Sequence, residues 1–168
     1  NITATTGKSG IKEKNYFYEV DGVKTAINGD SFNIDSDGSS IRICGSITNG
    51  LGISSGEECI GPLKRDTSKP SLNIDISSKA SNDNWYNSDI NGNIIASAGK
   101  SGIKSVDYYI DIDGKKETYN TTVSNSNFAI SKEGKVIRIC GKVVNGAGVS
   151  SGDDICIGPL GLDKTKPI

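Results

Sequence analysis

The chain alternates apolar and polar residues over short runs, and this period-two pattern predicts β-strands rather than helices. It is clearest in the C-terminal half, where turn residues separate runs rich in β-branched and aromatic side chains. Asp113-Gly114 lies between two of these runs, and this dipeptide is typical of a two-residue hairpin turn. Seven strands are predicted there, at residues 71–76, 91–98, 106–112, 116–123, 127–130, 135–144 and 150–160.

The pattern occurs twice along the chain. SGIK occupies residues 9–12 and 101–104, IRICG residues 41–45 and 137–141, and CIGPL residues 59–63 and 156–160. The offset grows from 92 (101 − 9) to 97 (156 − 59), so the second copy carries a few inserted residues. A period near a hundred residues is the size of a domain, whereas solenoid repeats span about 20–50 residues. The repeat therefore predicts two domains.

Alignment of the two copies sets the expected boundaries. Residues 1–65 form a first repeat without its opening strand, because Asn1 aligns with Asn93, and residues 66–162 form a complete repeat. Residues 163–168 (DKTKPI) align with the DTSKPS of residues 66–71 and indicate the start of a third repeat or a linker. A sandwich without its first strand has an unpaired edge, so we expect strand exchange with another copy or a frayed edge in the first repeat.

Seven short strands in about a hundred residues, separated by turns, are typical of a two-sheet sandwich of immunoglobulin type. The predicted fold class is therefore all-β, with two tandem immunoglobulin-like β-sandwiches of antiparallel Greek-key topology. A closed barrel of the same strands is the alternative.

Charge narrows the choice of partners. The chain has 19 basic and 20 acidic residues, interspersed, for a net charge of −1. Nucleic acid binding needs a basic face, and a membrane surface attracts polybasic segments, so neither is an expected partner. No apolar run approaches the 18 residues of a membrane-spanning helix.

The four cysteines fall as one pair in each copy, Cys44 with Cys59 and Cys140 with Cys156. Neither pair has C-x-x-C spacing and histidine is absent, so we predict no metal site and no cofactor. Each pair spans a glycine-rich turn between consecutive strands, which brings the two residues within bridging distance. One disulfide per domain is predicted, in an oxidising location such as a cell surface. Four reduced, buried cysteines are the alternative.

Candidate chemistry is sparse, and we predict that the chain is not an enzyme. Without histidine there is no Ser–His or Cys–His nucleophile, and no carboxylate pair stands out as a glycosidase site. Asn33, Asp35 and Asp37 match the opening of an EF-hand loop, but the twelfth position is Cys44 where a glutamate is needed. A calcium ion near Asp66 and an isopeptide bond from a buried lysine remain open alternatives. The aromatic runs at 16–18 and 108–110 favour a core role over glycan contact.

The order of motifs resembles a known family. D-x-x-K-P is followed by W-Y-N-S-D, I-x-A-S-A, S-G-I-K, an aromatic strand ending in D-G, then I-R-I-C-G and N-G-A-G. This is similar to the bacterial immunoglobulin-like repeats of large secreted and cell-surface proteins, across all of copy two and most of copy one. Lys8 and Lys100 stand where such repeats often carry acidic residues, which puts any metal site of relatives in doubt here.

The resemblance implies an extracellular, non-catalytic module of a bacterial surface protein. We expect it to space or display a distal functional domain, with neighbouring immunoglobulin-like repeats of the same chain as its partners. The alternatives are an adhesive module that binds glycan or host protein, and a filament subunit that assembles by strand exchange.

Overall fold

A computed structural model describes residues 1–167 of the chain. They form two compact units, residues 1–66 (unit 1) and residues 67–167 (unit 2). Twelve strands and no helix are found in the described residues, so the chain is all-β. Consistent with this, residues 1–167 include no helix long and apolar enough to cross a membrane.

Unit 1 contains one four-stranded antiparallel sheet, with the strand order β2-β1-β3-β4. Residues 1–10 and 28–37 carry no strand. The strands are β1 Ile11–Val20, β2 Val23–Ile27, β3 Gly38–Asn49 and β4 Glu58–Arg65.

Unit 2 contains two sheets. One has three strands in the order β10-β7-β5, and the other has five in the order β6-β12-β11-β8-β9. Every pairing is antiparallel except the short parallel contact between β6 and β12. The strands are β5 Ser71–Ile76, β6 Trp85–Tyr86, β7 Ile90–Ser97, β8 Ile103–Ile112, β9 Lys115–Thr121, β10 Asn125–Ile130, β11 Gly134–Asn145 and β12 Ile155–Leu162.

The apolar faces of the two sheets of unit 2 share one core. Alternate residues of β7, Ile90, Ile94 and Ala96, are buried against alternate residues of the facing sheet such as Val106 and Ile139. The two sheets are separate and open at their edges, which is a sandwich-like arrangement and not a closed barrel. The largest fully buried side chains are Ile90, Ile94, Ile137, Ile139, Leu162, Val106, Val143 and Asn145.

The strands predicted for the second copy correspond to β5 and to β7–β12, with small shifts at their ends. Asp113 and Gly114 adopt φ angles of 50° and 84°, as a two-residue hairpin turn between β8 and β9 requires. β12 begins at Ile155 rather than at residue 150. The turn before it is longer because the Asn145 Oδ1 atom accepts hydrogen bonds from Ala147 N (3.1 Å) and Val149 N (2.8 Å).

Unit 1 departs further from unit 2 than the expected loss of one strand. Its four strands align with β8, β9, β11 and β12, while the segments that align with β7 and β10 form no strand. Between these two segments one backbone hydrogen bond remains, from Ile2 N to Asp30 O (2.8 Å). The two segments do not build a second ladder in unit 1. Unit 1 is therefore one sheet of the pair seen in unit 2.

Candidate functional site

Two disulfide bonds lie at matching positions in the two units. Cys44 is opposite Cys59 in the β3–β4 register, and Cys140 is opposite Cys156 in the β11–β12 register. In both pairs the Cα atoms are 4.1 Å apart, which is the close spacing of a non-hydrogen-bonded antiparallel pair. Each disulfide therefore ties the last two strands of its sheet directly across the ladder.

The disulfide of unit 2 lies on the outer face of its sheet, away from the core. Ile139 points into the core and is fully buried, so the next residue, Cys140, points to the opposite face. Cys140 is nevertheless only 2% exposed. Tyr109 lies opposite it in the β8–β11 register, and the Lys116 Nζ atom lies 4.3 Å from the centre of the Tyr109 ring. The ring and the lysine therefore lie on the same face of the sheet as the disulfide.

The same arrangement recurs in unit 1. Phe17 lies opposite Cys44 in the β1–β3 register, and the Lys24 Nζ atom lies 3.3 Å from the centre of the Phe17 ring. Cation–π contacts of this kind contribute on the order of 0.5–1 kcal/mol at exposed sites. We call the lysine, the aromatic ring and the disulfide of each unit the outer ladder, because together they connect all four strands of the shared sheet.

Sequence reasoning predicted the two disulfides but missed the lysine and the ring. The signal was present, since Phe17 and Tyr109, and likewise Lys24 and Lys116, are separated by the same 92 positions as the SGIK repeat. Only the strand register shows that these residues meet at the disulfide.

The outer ladder offers no thiol chemistry. No free cysteine is found in the described residues. Donor atoms of Cys44, Cys59 and Glu57 lie within 4.8 Å of one another, but both sulfurs are consumed by the disulfide and no thiolate is available for a metal. What the ladder can do is hold strands together.

The acidic residues that resemble an EF-hand opening are engaged within unit 1. Arg65 donates hydrogen bonds to the backbone oxygen of Asp35 and to the Asp37 Oδ1 atom (2.8 Å). The Asn33 Nδ2 atom donates to the Asp35 Oδ1 atom (2.6 Å). The Asp37 carboxylate is therefore paired with a guanidinium. A calcium ion beside Asp66, which is buried, stays a hypothesis. An isopeptide bond has no donor among residues 1–167, because every lysine in them is exposed.

A second polar cluster holds the C-terminal segment against unit 2. The Asp89 carboxylate accepts hydrogen bonds from Ser131 Oγ (2.6 Å) and Lys164 Nζ (3.1 Å), and Lys164 N donates to Glu133 Oε1 (2.6 Å). The bond from Ser131, followed by that from Lys164, lowers the pKa of Asp89 below its ordinary value of 3.8. These contacts fix the start of the segment that aligns with residues 66–71.

Unit 2 also carries an open pocket lined by aromatic and polar side chains. The Tyr108 and Tyr119 rings stack with their centroids 4.9 Å apart, and burial raises the pKa of Tyr108. The pocket has a volume of about 400 Å³. Its lining also includes Asp107, Asn120, Lys142 and Asp154. In unit 1 the position of Tyr119 is held by Ile27, so the stacked pair is specific to unit 2.

Unit 1 carries an open groove with a mainly apolar lining. Residues 1–5 form one wall, and β3 and β4 contribute the floor. Its volume is about 440 Å³. Sequence reasoning expected an unpaired edge here, and the structure shows an exposed sheet face as well.

Comparisons with known proteins add no assignment. No protein-family model matches the chain, and no curated protein is significantly similar to it.

Proposed function

We propose that the chain is a non-catalytic, extracellular structural module of a bacterial surface protein, which spaces or displays a distal functional domain. The observation that carries this proposal is the duplicated outer ladder. Both units place a disulfide, an aromatic ring and a lysine at the same points of the same four-stranded sheet. Repetition of the outer ladder, which holds strands together, suits an array of domains under mechanical tension.

The strand order of unit 2 supports the finer assignment of an immunoglobulin-like fold. β5, β7 and β10 form one sheet, and β8, β9, β11 and β12 form the other with the short β6. A chain that passes between two antiparallel sheets in this way follows the Greek-key plan of immunoglobulin-like sandwiches. In this proposal, unit 1 belongs to the same family and contributes the sheet that corresponds to β8–β12.

Disulfides support the extracellular setting. Two cross-strand disulfides in a chain of this size are typical of oxidising compartments and rare in the cytosol. Only residues 66–70 separate β4 from β5, and this short connection contains Pro70. A short linker with a proline is stiffer than a glycine- and serine-rich one, which suits a spacer.

Stretching single molecules from their two termini tests the mechanical role. The disulfide of unit 2 closes a separation of 16 residues, so this segment stays short when oxidised unit 2 unfolds. Reduction should add about 50 Å to the length gained on unfolding, at about 3.5 Å per residue. We expect repeated unfolding and refolding of the oxidised chain. Failure of oxidised unit 2 to refold after each pull would contradict a spacer role.

An adhesive role is the second candidate, favoured by the pocket around Tyr108 and Tyr119. Aromatic residues beside carboxylate and amide groups are suited to the apolar face and the hydroxyl groups of a sugar. The test is a glycan-array screen of the whole chain with Tyr119→Ala as the comparison. Saturable binding that this variant abolishes would replace the spacer proposal, and absence of binding supports it.

A further inference from the structure

The outer face of the three-stranded sheet of unit 2 is rich in asparagine. On each strand the residues that alternate with the buried ones point to solvent. Half of these outward residues are asparagines, and a single one is charged. We call this surface the amide face, and it consists of Ser71, Asn73 and Asp75 of β5, Asn91, Asn93, Ile95 and Ser97 of β7, and Asn125, Asn127 and Ala129 of β10.

The strand register arranges the amides in rows across the sheet. In one row Asn93 of β7 lies opposite Asn127 of β10. In the next row Ile95 lies between Asn125 and Asn73. Ile95 is 40% exposed, and neighbouring strands are about 4.8 Å apart. An exposed apolar side chain is therefore flanked by an amide on either side.

The amide groups of this face are free to bind a ligand. The side chains of Asn73, Asn93, Asn125 and Asn127 form no hydrogen bond with other residues among residues 1–167. Asparagine is depleted in strands, so local strand preference does not account for its place on all three strands. In a turn of the same unit, by contrast, Asn145 is hydrogen-bonded to the backbone.

The amide face is elongated. An open depression with a volume of about 390 Å³ lies at one end and is lined by Asn91, Asn93 and Asn127. At the other end the hydroxyl groups of Ser71 and Ser97 lie 2.7 Å apart. From Asn91 to Ser97 the face extends about 20 Å along β7, at about 3.4 Å per residue. This length suits a chain of sugar rings better than one small molecule.

We propose that the amide face binds a neutral polysaccharide chain that lies along β7. An amide both donates and accepts hydrogen bonds, as a sugar hydroxyl group does. The apolar C–H face of one sugar ring packs on Ile95, and the amides beside it bind hydroxyl groups. The site is separate from the pocket around Tyr108 and Tyr119, whose lining strands belong to the five-stranded sheet. A spacer with this face can attach to a glycan along its side.

Other classes of ligand fit the amide face less well. It carries no lysine or arginine that could pair with a phosphate or carboxylate group. A protein partner buries about 800 Å² on each side around an apolar centre. Ile95 is the one large apolar side chain among the residues of this face. Strand addition uses the edge of a sheet and not its face.

The test is an NMR titration of the oxidised whole chain with neutral oligosaccharides, namely cellotetraose, maltotetraose and N-acetylchitotetraose. We expect saturable binding of at least one of them, with a dissociation constant of about 1 mM or tighter. The shifted signals should be the backbone amides of β5, β7 and β10 and the side-chain amides of the amide face. An oligogalacturonate of the same length should bind more weakly, because its carboxylates meet Asp75 and no cation on this face.

Substitutions separate binding from folding. The double variant Asn93→Val, Asn127→Val removes two facing amides and should weaken binding at least about tenfold, because hydroxyl groups of the ligand lose their partners. Valine is favoured in strands, so the urea midpoint of unit 2 should not fall. The matched control is Asn15→Val, which alters an exposed asparagine on β1 of unit 1 and should leave the affinity unchanged.

Several results would overturn the proposal. One is the absence of shifts with all of the neutral oligosaccharides at about 10 mM, tenfold above the expected dissociation constant. A lower urea midpoint of the double variant would show that the amides serve the fold. Equal or tighter binding of the oligogalacturonate would contradict a neutral ligand. Shifts confined to the surroundings of Tyr108 and Tyr119 would place glycan binding on the other sheet.

Discussion

Shortening Leu160 should destabilise unit 2 far more than shortening Leu63 destabilises unit 1, although the two leucines occupy aligned positions. Leu160 is 7% exposed and belongs to the core shared by both sheets. Leu→Ala at such a site costs about 2.7–5 kcal/mol, because a transfer term and a cavity term add. Leu63 already exposes 48% of its surface. Its truncation leaves no closed cavity and should cost about 1 kcal/mol or less.

The single tryptophan allows unit 2 to be followed separately. Trp85 lies in β6 and pairs with β12 at Gly161, so its fluorescence reports the unfolding of unit 2. With a urea m-value of about 1.5 kcal/mol/M, a loss of about 3 kcal/mol lowers the midpoint by about 2 M. Leu160→Ala should show this shift, and Leu63→Ala should leave the Trp85 transition in place. Equal midpoints for Leu160→Ala and the unaltered chain would refute the assignment of this position to a closed core.

Three further outcomes are expected. Reduction of both disulfides should unfold unit 1 and leave unit 2 folded, because unit 1 has 5 buried apolar residues against 17 in unit 2. Each disulfide contributes about 3 kcal/mol to the free energy of unfolding. NMR spectra and Trp85 fluorescence report the two outcomes. Asn145→Asp should lower the urea midpoint of unit 2, because a carboxylate at this position is fully buried. Asn49→Asp should change stability little, because Asn49 is only half-buried. Equal effects of the two substitutions would contradict this difference in burial. The pKa of Asp89 is lowered on folding, so the contact of its carboxylate with Lys164 is present above pH 3.8 and is lost as the pH falls below that value. NMR titration of the Lys164 ammonium signal should show this release. Persistence of the contact in Asp89→Asn would refute the role of the carboxylate charge.

The strands of unit 2 were predictable because local sequence determines them. Alternation of apolar residues, as in SLNIDI of β5 and VDYYIDI of β8, marks one buried face, and Asp113-Gly114 marks a hairpin. The pairing of cysteines followed from their repetition in each copy together with the absence of histidine. These features need no knowledge of distant contacts.

The features that escaped prediction depend on contacts between strands that are distant in sequence. The aromatic ring and the lysine of the outer ladder meet the disulfide only through the β1–β2–β3 and β8–β9–β11 registers. The loss of the second sheet in unit 1 was also missed. Residues 1–6 and 31–34 keep the alternating composition of strands, but whether they pair depends on a third strand that local sequence does not reveal.

The two units share one four-stranded sheet, which is covered in unit 2 and open in unit 1. Amide hydrogen exchange of the aligned strands β3 and β11, measured in the same oxidised sample, tests this most directly. We expect the amides of β11 to exchange only through global unfolding of unit 2, and those of β3 to exchange at least about tenfold faster through a less stable unit 1. Equal protection of the two strands would contradict it.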